Sequence, residues 1–372
     1  MCNSELSQDA YFDTLGYMHR KVLPMMPQTG STSSNPFFPF QPSSSPDEAA
    51  NDLRNVSANL LVNGYYARFF SEVRRLGTGS FGSVYLCQHV IDSVFWGEFA
   101  VKKVPVGDSR EWLRGMMKEV KALERLASHP NIVCYKHSWL EMSRSNELCP
   151  YVPFLFILMS YCDSGSLESF IWGDVGGGDL GHQRKSDQIS LSDETPLDHH
   201  ADKVIWALFL DITQGLQHLH RNFVLHRDLK PSNVLLARDP GTPCGIRAVL
   251  SDFGTAEIAG DTSTHTGFSG TVEYTAPEVL ADSPHNYSEE SDLWSLGILL
   301  YALCYSSLPY SDPNPSCCAD RVRQHEQLIL PLCPDRDPNL RDIIQALTAK
   351  DPALRPSCND ILFHPIVRSK FR

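Results

Sequence analysis

From Phe69 to Val90, in FFSEVRRLGTGSFGSVYLCQHV, apolar and polar residues roughly alternate around a group of glycines, which predicts two strands joined by a Gly-rich turn. GEFAVKKVPV, residues 97–106, reads as a third strand. The period then changes. In DSREWLRGMMKEVKALERLA, Trp112, Met116, Val120, Leu123 and Leu126 recur at three- and four-residue spacing behind the capping residues Asp108 and Ser109, so an amphipathic helix is expected. NIVCYKHSWLEM and FLFILMSYC return to strand character, completing a small sheet with one helix over residues 66–162.

Beyond that point the pattern is mainly helical. KVIWALFLDITQGLQHLH places Val204, Leu208, Ile212, Leu216 and Leu219 on one face, and LWSLGILLYALCY (293–305) predicts a helix buried on all sides. Between them, residues 173–200 are Gly-rich and polar without periodicity and read as a solvated insertion. Residues 1–62, rich in Ser, Pro, Gln and Asn, sustain no period and are expected to be disordered; residues 367–372 form a short tail. A third stretch, GDTSTHTGFSGT (260–271), has the composition of a linker.

Composition bounds the function classes. The chain of 372 residues is 42% apolar, enough for a sizeable core, and its formal net charge of −12 argues against binding to nucleic acid or anionic membranes. Its eleven cysteines are scattered, mostly within apolar runs, and contain no CxxC pair, so reduced core thiols are expected rather than disulfides or structural zinc. The N-terminus lacks the basic start and apolar core of a secretory signal, and the longest apolar run falls short of the roughly 20 residues that span a membrane. A cytoplasmic or nuclear protein without a membrane span is expected.

The chemistry is carried by spacing. GTGSFGSV, Gly77 to Val84, has the G-x-G-x-x-G-x-V form in which Gly77, Gly79 and Gly82 let backbone close over phosphates without a Cβ in the way. Alone this is weak, because Gly-rich strand turns are common. Twenty residues past Gly82, in AVK, Lys102 stands on a predicted strand, and the helix that follows offers Glu119 as its acidic partner, with Glu124 as rival. HRDLKPSN, His226 to Asn233, then sets a carboxylate, a cation and an amide within six residues.

GTGSFGSV, AVK, HRDLKPSN, DFG, APE and DLWSLG occur in the order seen in eukaryotic protein kinases, and the chain resembles that family over residues 66–366. The resemblance implies an α+β, bilobal protein-kinase fold. A small β-sheet lobe with one helix (66–159) would lead through a hinge (160–163) to a larger, mainly helical lobe (164–366). It implies Asp228 as the base for the substrate hydroxyl, Lys230 as a charge on the γ-phosphate, Asn233 and Asp252 as metal ligands, and Lys102, held by Glu119, on the α- and β-phosphates. Thr271 would order Asp228 and Lys230. The nucleotide would lie under Leu76, Gly77, Thr78, Gly79, Ser80, Phe81, Gly82 and Val84. Ala100 and Leu235 would face its base, Met159 would stand behind it, and Ser160 and Cys162 would bind it through main-chain groups. ATP with Mg2+, or Mn2+ in its place, is the implied cofactor pair. HRDLKPSN and GTVEYTAPE resemble the serine/threonine type, so the implied partners are proteins with Ser or Thr acceptors and an upstream kinase, or a second copy acting in trans. Glu278 and Arg355 match a buried ion pair of the family, and Asp292 the residue that anchors the catalytic-loop backbone.

Within the family, YYARFFSEVRRLGTGSFGSVYLCQHVIDSVFWGEFAVKKVPVGDSREWL is similar to the IKS-type kinases of fungi and protists, and HPNIVCYKHSWLE with LFILMSYCDSGSLESFI to kinases of a translation initiation factor. No long charged insert separates the fourth and fifth strands, which favours the first. Two other function classes compete: a pseudokinase scaffold, against which Lys102, Asp228, Asn233 and Asp252 are all present, and a small-molecule kinase, which GTVEYTAPE disfavours. Arg227, just before Asp228, predicts phosphorylation within Thr262–Ser269, with Thr266 and Ser269 preferred.

Overall fold

The computed structural model describes residues 60–370 apart from 80–81, 108–109, 127–128, 145–147, 174–200, 243, 253–256, 259–270, 282–286 and 313. The predicted N-terminal disordered segment up to residue 59, the capping residues Asp108 and Ser109, the predicted insertion beyond Gly173, the predicted phosphorylation segment up to Gly270, and Ser80 and Phe81 of the glycine turn therefore lie outside the described residues.

The chain builds one five-stranded antiparallel sheet and then a helical lobe, as the bilobal kinase fold requires. Helix α1 (Tyr65–Phe69) leads into β1 (Phe70–Gly79), β2 (Gly82–Ile91) and β3 (Val94–Pro105); α2 (Arg110–Leu126), β4 (Tyr135–Ser143) and β5 (Val152–Ser160) follow. The spatial order is β1-β2-β3-β5-β4. Strand alternation sends β5 into two separate cores: Leu155 and Ile157 pack on the α2 side, whereas Phe154, Phe156 and Leu158 join Tyr66, Phe70, Cys87, Phe99, Val101 and Trp139 on the roof. A strand buried on both faces reads as a continuous apolar run, which is what VPFLFILMS is.

Two expectations need correction. Helix α2 buries Leu113, Met116, Val120, Leu123 and Leu126, with Leu113 where Trp112 was expected. Trp112 stays partly exposed because its indole Nε1 donates to the Pro105 carbonyl at 3.3 Å. Residues 60–62, assigned by composition to the N-terminal segment, are in contact with the sheet: Leu61 bridges to Leu140 and the Val62 N–H donates to the Leu140 carbonyl at 2.7 Å.

In the second lobe, α3 (Leu167–Trp172), α4 (Asp202–Arg221) and α6 (Glu289–Tyr305) form the frame, with α5 (Pro277–Ala281) between the last two. Helix α6 is buried from Ser291 to Cys304 on every face, as its uninterrupted apolar run predicted. Helices α7 (Pro315–Arg323), α8 (Pro338–Leu347), α9 (Cys358–Leu362) and α10 (Pro365–Lys370) close the far end. The short strands β6 (Val224–Leu225), β7 (Val234–Arg238), β8 (Ile246–Leu250) and β9 (Glu257–Ile258) had no clear sequence pattern; β6 pairs with β9 and β7 with β8. The β7–β8 hairpin is fixed from below, where Asp211 of α4 accepts the Ala248 N–H and Asn131 donates to the Ala248 carbonyl, both at 2.9 Å. Among the described residues no disulfide is formed, and Cys87, Cys162, Cys244, Cys304, Cys318 and Cys358 are buried thiols. Among them, too, no helix is long and apolar enough to cross a membrane.

Candidate active site

The β7–β8 hairpin sets the spacing of the site. Val234 pairs with Leu250, so Asn233 just before the hairpin and Asp252 just after it stand side by side. Ser251 locks the two together, its N–H and hydroxyl both donating to the Asn233 carbonyl at 2.9 and 3.0 Å. Upstream, the loop carrying Asp228 hangs from α6. The buried Asp292 carboxylate accepts the backbone N–H groups of His226 and Arg227, each at 2.9 Å, and meets His220 Nε2 at 3.0 Å. Burial works against the Asp292 charge, but these donors outweigh it and hold its carboxyl below the usual range. Arg227 and Asp252 both adopt left-handed φ angles, 66° and 58°, a strained geometry that persists only where surrounding bonds enforce it.

Asp228 is the centre of the arrangement. Its Oδ2 receives Lys230 Nζ at 2.8 Å and Asn233 Nδ2 at 3.0 Å, and Asn233 Nδ2 also reaches the Asp228 carbonyl at 2.8 Å. Both Asn233 bonds use the amide nitrogen, so its carbonyl oxygen is left as a hard donor beside Asp252. Lys230 Nζ donates in addition to Thr271 Oγ1 at 2.9 Å, which ties Asp228 to the segment ahead of α5. The other Asp228 oxygen, Oδ1, takes part in none of these bonds and can accept a proton from a hydroxyl brought to it.

From the sheet lobe, Lys102 Nζ meets Asp252 Oδ1 at 3.0 Å. Sequence reasoning paired this lysine with Glu119; Glu119 lies on α2 three residues past Met116, but its side chain is outside the described residues, and the carboxylate seen at Lys102 is Asp252. Desolvation opposes ionisation of Asp252, and the charge and hydrogen bond of Lys102 overcome it, so its carboxyl sits below the ordinary range.

Strand register brings the remaining candidates to the same cleft. Gly79 pairs with Gly82, Thr78 with Ser83, Gly77 with Val84, and Val84 with Lys102, so the glycine turn and Leu76 lie along the strand pair that leads to the lysine. A Cβ on Gly82 would fall 2.1 Å from the Lys103 carbonyl, whereas one on Gly77 or Gly79 would meet nothing within 4 Å. Only glycine fits the first position, and the other two leave the backbone open for a ligand to approach. Ala100 pairs with Met159 across β3 and β5, and Leu235 bridges to Ser166, three residues past the predicted hinge 160–163. Ser160 ends β5, its hydroxyl accepting the Cys134 N–H at 3.1 Å, and burial pushes the Cys162 thiol up to about 12.

The donor set suits a nucleotide with a hard divalent cation. Among the described residues no three His, Cys, Asp or Glu side chains gather to form a metal cage. Magnesium commonly takes one or two protein oxygens and completes its shell with phosphate and water, which is what Asn233 and Asp252 can offer.

Below the site, Arg355 donates to Glu278 through Nη1 at 2.6 Å and Nη2 at 2.9 Å, and Nη1 also reaches the Glu290 carbonyl at 2.8 Å. The arginine side chain is fully buried. Three supporting groups were missed in the sequence: His220 on Asp292, Ser291 donating to Glu278 at 3.2 Å, and Tyr287, whose ring lies 5.5 Å from the Arg227 guanidinium. Each acts through a tertiary contact, and no local spacing announces it.

Cleft, lysine and loop together define a protein kinase. A sequence model described as the protein kinase domain matches residues 70–367, and the chain belongs to that family, of the serine/threonine type. It is 38% identical over 347 residues to a Dictyostelium discoideum protein named "Probable serine/threonine-protein kinase iksA", covering 85% of this chain and 33% of that one. To human serine/threonine-protein kinase Nek5 it is 29% identical over 303 residues, covering 81% and 36%, and to human mitogen-activated protein kinase kinase kinase 13 it is 29% identical over 297 residues, covering 79% and 25%. The chain thus spans between a quarter and just over a third of the length of these curated relatives. The first relative supports the IKS-type resemblance; none of the three names supports the likeness to an initiation-factor kinase.

Proposed function

We propose that the chain transfers the γ-phosphoryl group of MgATP to Ser or Thr hydroxyls of protein substrates. The observation that carries this reading is the bridge from Lys230 Nζ to both Asp228 Oδ2 and Thr271 Oγ1, at 2.8 and 2.9 Å. It leaves Asp228 Oδ1 to receive the acceptor proton and holds an ammonium beside the path of the transferring group. When bound, the magnesium ion would neutralise charge building on the phosphate oxygens. Asn233 and Asp252 are the residues that would hold it, and Lys102 would bind the α- and β-phosphates. The glycine turn would close over the chain of phosphates, with the base between Ala100 and Leu235, Met159 behind it, and the main chain of Ser160 and Cys162 along its edge. Positioning and fixed charge suffice for this reaction, because the protein contributes little covalent chemistry to it.

The test is magnesium-dependent turnover by the purified chain on a Ser/Thr peptide library. Asp228→Asn, which keeps shape and removes the base, should lower turnover by at least a hundredfold. Equal rates for wild type and variant would sink the catalytic reading in favour of a scaffold.

Regulation through the segment between Asp252 and Glu278 belongs to the same proposal. Arg227 precedes the base, and its backbone is fixed by Asp292, so a phosphate within Thr262–Ser269 that paired with its guanidinium would be tied directly to the catalytic loop. An upstream kinase or a second copy would supply that phosphate. Replacing Thr262, Ser263, Thr264, Thr266 and Ser269 together with Ala should reduce turnover, and an unchanged rate would remove this switch. Ten unbridged cysteines among the described residues suit a reducing compartment, the cytoplasm or nucleus.

A further inference from the structure

Residues 60–69 lie ahead of the segment matched to the kinase domain, yet they cross the whole roof of the sheet. Leu61 and Val62 add in parallel to β4, the edge strand, and Asn63 Oδ1 accepts the Met142 N–H at 2.8 Å. Gly64, at φ 81°, then turns the chain into α1. The buried Glu141 carboxylate fixes this turn by accepting the N–H groups of Gly64 and Tyr66, both at 3.0 Å, together with Trp139 Nε1 at 3.2 Å. Helix α1 ends at Phe70 on β1, the opposite edge, so the segment is a strap from one side of the sheet to the other.

Lys103 is where the strap meets the strand that lines the cleft. Its ammonium stands 4.2 Å from the Tyr66 ring centre and 4.5 Å from that of Tyr85, and it pairs with Glu72. Tyr66 is held in turn by its hydroxyl at Cys87 Sγ, 3.0 Å away, and by its ring against Phe156. Successive strand side chains point to opposite faces, so Lys102 reaches Asp252 in the cleft while its neighbour is gripped from above. The Lys103 carbonyl is also the group against which Gly82 packs. One residue therefore touches the roof, the glycine turn and the strand carrying the phosphate-binding lysine.

We infer that Lys103, caged by Tyr66 and Tyr85 and paired with Glu72, is a positioning residue for Lys102: the strap sets the rotation of β3 and so the place of the Lys102 ammonium. The inference rests on the kinase reading above. It is tested by the affinity of the full chain for a fluorescent ADP analogue with Mg2+. Lys103→Met and Tyr66→Leu should each weaken binding about tenfold, while Tyr66→Phe, which keeps the ring, should stay within twofold of wild type. In a Lys102→Met background, Lys103→Met should add no further loss, because both changes act through one ammonium. An unaltered affinity for Lys103→Met overturns the inference, as does the same tenfold loss in both backgrounds, which would mean a general loosening of the fold. If thermal unfolding shows Lys103→Met to be unfolded, Glu72→Gln replaces it, with a loss of about threefold that must likewise vanish in the Lys102→Met background. No nucleotide binding by the wild type would overturn the kinase reading and this inference together; wild-type binding with Lys103→Met unchanged overturns the inference alone.

Discussion

Thr271→Val isolates one hydrogen bond. Valine matches threonine in shape and takes away only the hydroxyl, which accepts from Lys230 Nζ at 2.9 Å. The backbone contacts at this position survive the change, because the Thr271 carbonyl still accepts the Tyr274 N–H and the Thr275 hydroxyl, both at 3.1 Å. Lys230 keeps its bond to Asp228 but loses the partner that fixes its direction. A hydrogen bond to a charged group contributes about 1.5–3 kcal/mol. If that stabilisation is felt in the transition state, each 1.36 kcal/mol is a factor of ten in rate, so kcat should fall roughly ten- to hundredfold. The KM for ATP should hardly move, since the bond removed is at Lys230 and the Lys102–Asp252 pair is left intact, and Thr271→Ser should restore most of the rate. Steady-state phosphoryl transfer to a Ser/Thr peptide, with ATP and peptide varied in turn, measures all three values. A kcat for Thr271→Val within twofold of wild type would refute the role given to this bridge.

Two further substitutions probe the frame around the site. Arg355→Met leaves Glu278 without its bidentate partner and should lower unfolding stability by about 3–5 kcal/mol, read as a shift of the urea midpoint at constant m-value. His89, buried and stacked on Phe70 at 4.7 Å, has its pKa lowered by desolvation from 6.5 to about 4, so the unfolded chain binds the extra proton. That contribution is fully present above about pH 6.5 and is lost as pH falls toward 4, amounting to about 3 kcal/mol at most. His89→Phe keeps the stack and should flatten the pH dependence of stability across that window; an unchanged slope would show that other groups set it.

Much of this molecule was legible because local spacing and tertiary role coincide. The glycine turn, Lys102 on its strand, and the loop from His226 to Asn233 are short segments whose chemistry is contiguous in sequence, and the structure gathers them at one cleft. The helices at 202–221 and 289–305 announced themselves through long apolar periodicity. What escaped depends on partners far apart in the chain. Trp112 fits the helical stripe as well as Leu113 does, and its bond to the Pro105 carbonyl is a tertiary contact that the spacing does not announce. Tyr66, Cys87 and Glu141 form the strap's seat across 75 residues of sequence, next to a segment whose composition argued for disorder. Asp252, the carboxylate at Lys102 among the described residues, lies 150 residues away and was not foreseen as its partner; the predicted partner Glu119 has its side chain outside those residues.

That distant pairing bears on how a ligand would enter. Lys102 and Asp252 neutralise each other across the cleft. On the proposed reading, a phosphate that draws the lysine and a cation that draws the carboxylate arrive as a pair carrying the charges they displace. Entry is then a double exchange of counter-ions, in which neither the lysine nor the carboxylate is left without an opposite charge. Either ion supplied alone would have to break the link without replacing the other half.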